Sequence, residues 1–223
     1  MIQETLKKSR LVVAAVRGYR HFVGSFRLRA QLARVANKRI VLGAEGVHQR
    51  GWIPTDQEVL DLLKDSDWQK WFAPGSIDAM LAEHVWEHLT PEQGRVAAKQ
   101  CFTYLKPSGY LRIAVPDGLH PDPEYVERVR VGGSGAGAHD HKVLYTYRTL
   151  SALFEAAGFQ VELREYFDES HQFHYRDWSP EQGLVHRSKR FDSRNAGGAL
   201  NYTSIILDAI KPPDHPAEPP SKG

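Results

Sequence analysis

Several clusters of residues carry enough polar and small groups, at close enough spacing, to do chemistry. Leu42-Gly43-Ala44-Glu45-Gly46 follows the apolar run Ile40-Val41-Leu42, and small residues at such an exit let the backbone approach a ligand closely. Asp56 ends Gly51-Trp52-Ile53-Pro54-Thr55 with a carboxylate able to accept from two hydroxyl groups. His84-Val85-Trp86-Glu87-His88 sets two histidines around a glutamate. On one continuous helix these would lie a turn apart, hold zinc and use Glu87 as base, which would make a hydrolase. His84, however, directly follows the apolar run Ile77 to Ala82, and the helix signal begins only at Thr90-Pro91. The segment therefore reads as the wall of a ligand pocket, with no metal.

The elements that must position these groups alternate between strand and helix. Apolar runs at 40–42, 77–82, 110–115, 159–166 and 201–210 read as strands, and Gly51–Asp56 as one more. Helical patterns occupy 57–72, then 91–106 after Thr90 as N-cap with Gln93 three residues on, and 147–157 up to Gly158. This order implies one doubly wound sheet, mostly parallel, whose last two strands close as an antiparallel hairpin around a long excursion from 167 to 200. Gly132-Gly133-Ser134-Gly135-Ala136-Gly137 offers little to pack and reads as a mobile lid. Residues 1–37 form an amphipathic helical cover whose arginines read as a solvated face, 38–211 the main domain, and the proline-rich 212–223 a disordered tail.

Composition narrows the partners. A formal charge of +2 over 223 residues is too mild for a nucleic-acid stripe, so a small molecule is the expected partner. No run of about 18 apolar residues exists to cross a bilayer, and no secretory leader is visible, so a cytoplasmic location is expected, with homodimerisation left open. The single cysteine, Cys101, sits among apolar helical neighbours and is expected to be buried and inert.

In open parallel sheets the ligand lies at the carboxyl ends of the strands. Four strand exits or turns between 39 and 117, in the correct order, resemble the class I S-adenosylmethionine (SAM)-dependent methyltransferases. Leu42–Gly46 resembles their glycine-rich loop, and Asp56 stands where they place the carboxylate that holds the ribose hydroxyls. Ala82–Leu89 resembles the stretch bordering the cofactor, and Leu105-Lys106-Pro107-Ser108-Gly109 their turn into the next strand, with Ser108 in place of a glycine. The resemblance implies a Rossmann-like α/β fold with seven strands and SAM as cofactor. It assigns Gly43, Ala44, Glu45, Gly46, Asp56, Glu83 and His84 to the cofactor. Val41 and Glu45 depart from the pattern, and Glu45 occupies a glycine position, where its carboxylate would face the methionine ammonium.

Over nearly the whole length, including GWIPTD, AEHVWEHL, DSRN and NYTSIILDAIK, the chain is also similar to a small predicted-methyltransferase family resembling azetidine-2-carboxylate synthases. That resemblance implies an intramolecular reaction. The α-amine of SAM attacks the γ-carbon, the ring closes and 5′-methylthioadenosine leaves. It points to Tyr175 as the ring over the sulfonium, Ser204 as a holder of the amine or carboxylate, and His139 or Asp140 as the group that orients or deprotonates the amine. Methyl transfer to a small molecule and non-catalytic SAM binding are the alternatives.

Overall fold

The computed structural model describes residues 2–214. The chain folds into a seven-stranded sheet with helices on its faces, a Rossmann-like α/β architecture. The strands are β1 (Arg39–Leu42), β2 (Ile53–Thr55), β3 (Ile77–Glu83), β4 (Leu105–Pro116), β5 (Gln160–Phe167), β6 (Phe173–Tyr175) and β7 (Ser204–Ile210). Their order is β2-β1-β3-β4-β7-β5-β6. Pairing is parallel from β2 to β4. It turns antiparallel at β7, which runs between β4 and β5.

Both faces of the central strands are covered, which is why they read as unbroken apolar runs. Ile40, Leu42, Met80, Ala82 and Ile113 point into one core, and Val41, Ala79, Leu81, Ala114 and Ile206 into the other. The first core packs against α3 (Pro91–Tyr104) and α5 (Tyr147–Ala156). The second is closed by Trp52, Trp178 and Val185. The Thr90 and Gln93 pattern produces a full capping box: Gln93 N–H donates to Thr90 Oγ1 at 3.3 Å and Thr90 N–H to Gln93 Oε1 at 2.9 Å. Cys101 is fully buried, and burial pushes its thiol pKa up.

The structure departs from the sequence reading in four places. The helix expected over 57–72 is confined to α2 (Asp65–Trp71). The preceding residues form turns because carboxylates capture their backbone: Asp61 Oδ1 accepts Leu63 N–H at 3.0 Å, and Asp67 Oδ2 accepts Asp61 N–H at 3.1 Å. A further helix, α4 (Pro123–Val129), starts at Asp122, whose side chain caps Glu124 N–H. The excursion from 168 to 203 contains β6, paired with β5, and two 3-10 segments, at Pro180–Gln182 and Ser193–Gly198.

The glycine-rich loop, expected to be free, is bonded down: Gly133 N–H donates to Arg130 O, Ser134 to Glu127 O and Gly135 to Arg128 O at 2.9–3.2 Å. Glycine is needed there for close approach, since a Cβ at Gly133 would stand 2.5 Å from Glu127 O. The N-terminal segment is one helix, α1 (Ile2–Leu32), which buries Leu28 and reaches Glu58 through Arg20 and His21. The tail beyond 214 lies outside the described residues. No helix among the described residues is long and apolar enough to cross a membrane.

Candidate functional site

The exits of β1 and β3 open onto two adjoining cavities that share Gly43, Glu45, His84 and His88. One, of about 380 Å³, is walled by Leu60, Leu62, Val85 and Leu89 with Asp61 and Gln57 among its polar groups. The other, of about 440 Å³, lies between Gly135–Gly137 on one side and Arg187, Arg194 and Tyr202 of the C-terminal excursion on the other. The first suits a flat, largely apolar ring system; the second suits a small molecule bearing charge.

The glycine loop is built by backbone geometry. Gly43, Glu45 and Gly46 have φ of 62°, 44° and 85°, all left-handed, which explains why such a loop favours glycine and makes Glu45 a strained substitute. A Cβ at Gly43 would stand 2.8 Å from Val85 Cγ2, so the backbone stays bare beside the cavities. Asp56 closes the loop: its Oδ1 accepts Glu45 N–H at 2.7 Å, and Oδ2 has no hydrogen bond among the described residues. Ala44 is buried against the second core.

β3 ends in two residues with different duties. The Glu83 carboxylate accepts Arg187 N–H at 2.8 Å and His186 N–H at 3.1 Å, so it ties the excursion to the sheet while still bordering the cavity. His84 has φ 56°, a strained backbone for a histidine, and its N–H donates to Ala114 O at 2.8 Å. This turn aims its ring between two partners. Nε2 lies 3.1 Å from Ser204 Oγ at the start of β7, and Nδ1 lies 2.9 Å from Glu87 Oε1. The second contact is at ion-pair distance. Burial pushes the Glu87 pKa up, but the adjacent His84 imidazole outweighs this and holds the carboxyl below its ordinary range.

The residues expected to act on the amine separate in the structure. Ser204 meets His84, although it is itself fully buried. Asp140 lines the first cavity, pairs with Lys142 at 2.8 Å and stands 3.5 Å from His88. His139 is exposed and borders neither cavity. Tyr175 lies on β6 at the sheet edge, 38% exposed, with Lys189 Nζ 4.4 Å from its ring centre and its hydroxyl donating to Asp177 at 2.7 Å. It borders neither cavity, and a resident lysine holds the cation position that had been expected for a sulfonium. The ring at the second cavity is Tyr202, 6.4 Å from the His84 ring, with the Arg194 guanidinium 3.4 Å from its centre.

Sequence reasoning also passed over Asp61 and His141, and gave Arg187 and Arg194, within a segment rich in aromatic and polar groups, no individual role. Their signals were weak individually: Asp61 was absorbed into a supposed helix, and the others sit in segments without periodicity.

A methyltransferase-domain family model matches residues 28–163, more than half of the chain, and the protein belongs to that family. Among solved structures, it is similar to a SAM-dependent methyltransferase from Archaeoglobus fulgidus, with 16% identity, 91% of this chain and 94% of that chain covered, and a TM-score of 0.46. It is also similar to a SAM-dependent methyltransferase from Thermotoga maritima, with 12% identity, 93% and 95% covered, and a TM-score of 0.45. No curated protein sequence matches the chain. The residues around the cavities fit SAM as the cofactor: a bare left-handed glycine loop and an apolar chamber adjoining a charged one, while Asp56, which borders neither cavity, holds that loop through Glu45 N–H.

Proposed function

We propose that the protein consumes SAM as its substrate, closing the aminobutyrate chain to azetidine-2-carboxylate and releasing 5′-methylthioadenosine. In this reaction the N–Cγ bond forms as the Cγ–S bond breaks, the electron pair stays on sulfur, and one proton leaves the nitrogen. In this reading Asp56 takes the ribose hydroxyls and the Leu60, Leu62 and Leu89 chamber takes the adenine. Arg187 and Arg194 hold the carboxylate at the far end. His84, oriented by Ser204, receives the amine and its proton, and Tyr202, with Arg194 over its ring, walls the chamber beside it. One observation carries the proposal: the charged cavity that begins where the glycine loop ends already contains a hydrogen-bonding imidazole, two guanidinium groups and an aromatic ring. These are the groups needed to fold a zwitterionic chain upon itself, and holding both reacting atoms together supplies much of the rate of ring closure.

Methyl transfer to a small carboxylate-bearing acceptor is the second reading, supported by the family match and by the same two arginines. The two are separated by incubating the protein with SAM alone and analysing products by mass spectrometry. Enzyme-dependent 5′-methylthioadenosine with a cyclic four-carbon amino acid, and no homoserine lactone, is the expected result. SAM left intact until a small acid is added, followed by S-adenosylhomocysteine and a methylated acid, would replace cyclisation with transfer.

A further inference from the structure

Glu87, His88 and His141 bring one potential metal-ligand atom each to a common point, all within 4.8 Å of one another. They come from two segments clamped together by backbone. Glu87 and His88 end the 3-10 turn Trp86–His88, and His141 follows the turn Ala138–Asp140. The N–H groups of Lys142 and Val143 both donate to Glu87 O, at 2.7 and 3.3 Å.

The histidines are preset as ligands. His141 Nδ1 lies 2.7 Å from Val129 O, and because a carbonyl only accepts, the ring proton sits on Nδ1 and leaves the Nε2 lone pair free. His88 Nδ1 lies 3.5 Å from Asp140 Oδ2, so a carboxylate stands near its ring at ion-pair distance. Metal-bound histidines characteristically have such a carbonyl or carboxylate behind the second nitrogen. The two rings meet edge to face with centres 4.8 Å apart.

An independent observation comes from Glu87. Its side chain is 1% exposed, His84 Nδ1 stands 2.9 Å from Oε1, and Oε2 has no hydrogen-bond donor among the described residues. His84 compensates the carboxylate from the Oε1 side, whereas Oε2, buried without a donor, is costly unless a further donor or cation meets it. His84 and His88 do not form the two-histidine helical pair considered from sequence, because His84 ends β3 with φ 56° and is engaged by Ser204. His141, 53 positions after His88, replaces it.

We propose that Glu87, His88 and His141 form a binding site for a divalent first-row transition metal of the zinc, cobalt or manganese type. Two imidazoles and one carboxylate suit that class, and three protein ligands leave a position open for an oxygen ligand from the cavity. Arg128, Arg187 and Arg194 line the same cavity and would favour an anionic group at that position. The site goes beyond the SAM reading and does not depend on it.

The test uses the full-length protein, treated with chelator, dialysed and titrated without SAM. Zinc binding is followed by calorimetry and cobalt binding by visible absorption. The expected result is one metal per chain, cobalt ligand-field bands, and affinity at least about tenfold lower in both Glu87→Gln and His88→Gln. His48→Ala, in an exposed loop, retains full affinity. The His88 side chain is 33% exposed, so its replacement leaves the core intact, and unchanged thermal melting verifies this. No uptake by the wild type, or uptake unchanged in both folded variants, overturns the site.

Discussion

His84 Nε2 and Ser204 Oγ stand 3.1 Å apart and join the exit of β3 to the start of β7 across the width of β4. Ser204 is fully buried, so it acts on the cavity only through the imidazole and is a positioning residue. Ser204→Ala removes one hydrogen bond worth about 1 kcal/mol and lets the ring turn, so turnover of SAM should fall by about five- to tenfold. KM should change less than kcat, and Ser204→Thr should recover part of the loss. Equal effects on kcat for Ala and Thr, or a change in KM alone, would remove His84–Ser204 from the reaction.

Asp56 is the clearest test of the cofactor end. Its Oδ1 fixes the loop through Glu45 N–H, and in the proposed function its second oxygen takes the ribose. Hydrogen bonds to a carboxylate contribute about 1.5–3 kcal/mol, so Asp56→Ala should weaken SAM binding by roughly tenfold to a hundredfold. Calorimetry on the wild type and variant measures this. Unchanged affinity would mean that SAM does not reach Asp56.

The backbone of the glycine loop was legible in the sequence because its geometry dictates composition there. Gly43 and Gly46 mark left-handed positions, and Ser108, standing where the related fold has glycine, itself has φ 63°. The charged chamber was less legible. His141 is brought beside His88 by backbone bonds between Lys142 and Glu87, and Tyr202 beside His84 by the antiparallel insertion of β7. Such meetings depend on tertiary register, which local patterns do not encode. Tyr175 shows the converse: the family resemblance pointed to it as the ring over the sulfonium, whereas pairing with Glu165 on β5 carries it to the sheet edge.

The excursion over the site is anchored through a buried ion network. Arg112 makes two parallel bonds to Asp208, at 2.7 and 2.9 Å, and its Nη1 donates to Ser179 O and Gly183 O. Arg164 shares the same carboxylate at 2.8 Å. Asp208→Asn leaves two guanidinium groups without their buried counter-charge and should cost about 3–5 kcal/mol in urea denaturation. Arg112→Met leaves Asp208 still paired with Arg164 and should cost less. The reverse order would show that anchoring of the excursion, rather than charge compensation, dominates.

Asp117, at the end of β4, gives stability a defined pH dependence. It is fully buried, and burial pushes its pKa from 3.8 to about 6, although the N–H groups of Phe167 and Leu119 favour the charged form. The folded protein therefore holds this proton more tightly than the unfolded chain does. The stabilisation is complete below the unfolded value and is lost as pH rises through the folded one. Asp117→Asn does not titrate, so the wild-type advantage over the variant should shrink by about 2 kcal/mol between pH 4.5 and pH 7. Urea midpoints for both proteins at the two pH values measure this difference, with contributions from the other titrating groups cancelling between them. An advantage that stays constant or grows toward pH 7 would mean that the two backbone donors outweigh burial and that Asp117 is an ordinary ionised cap.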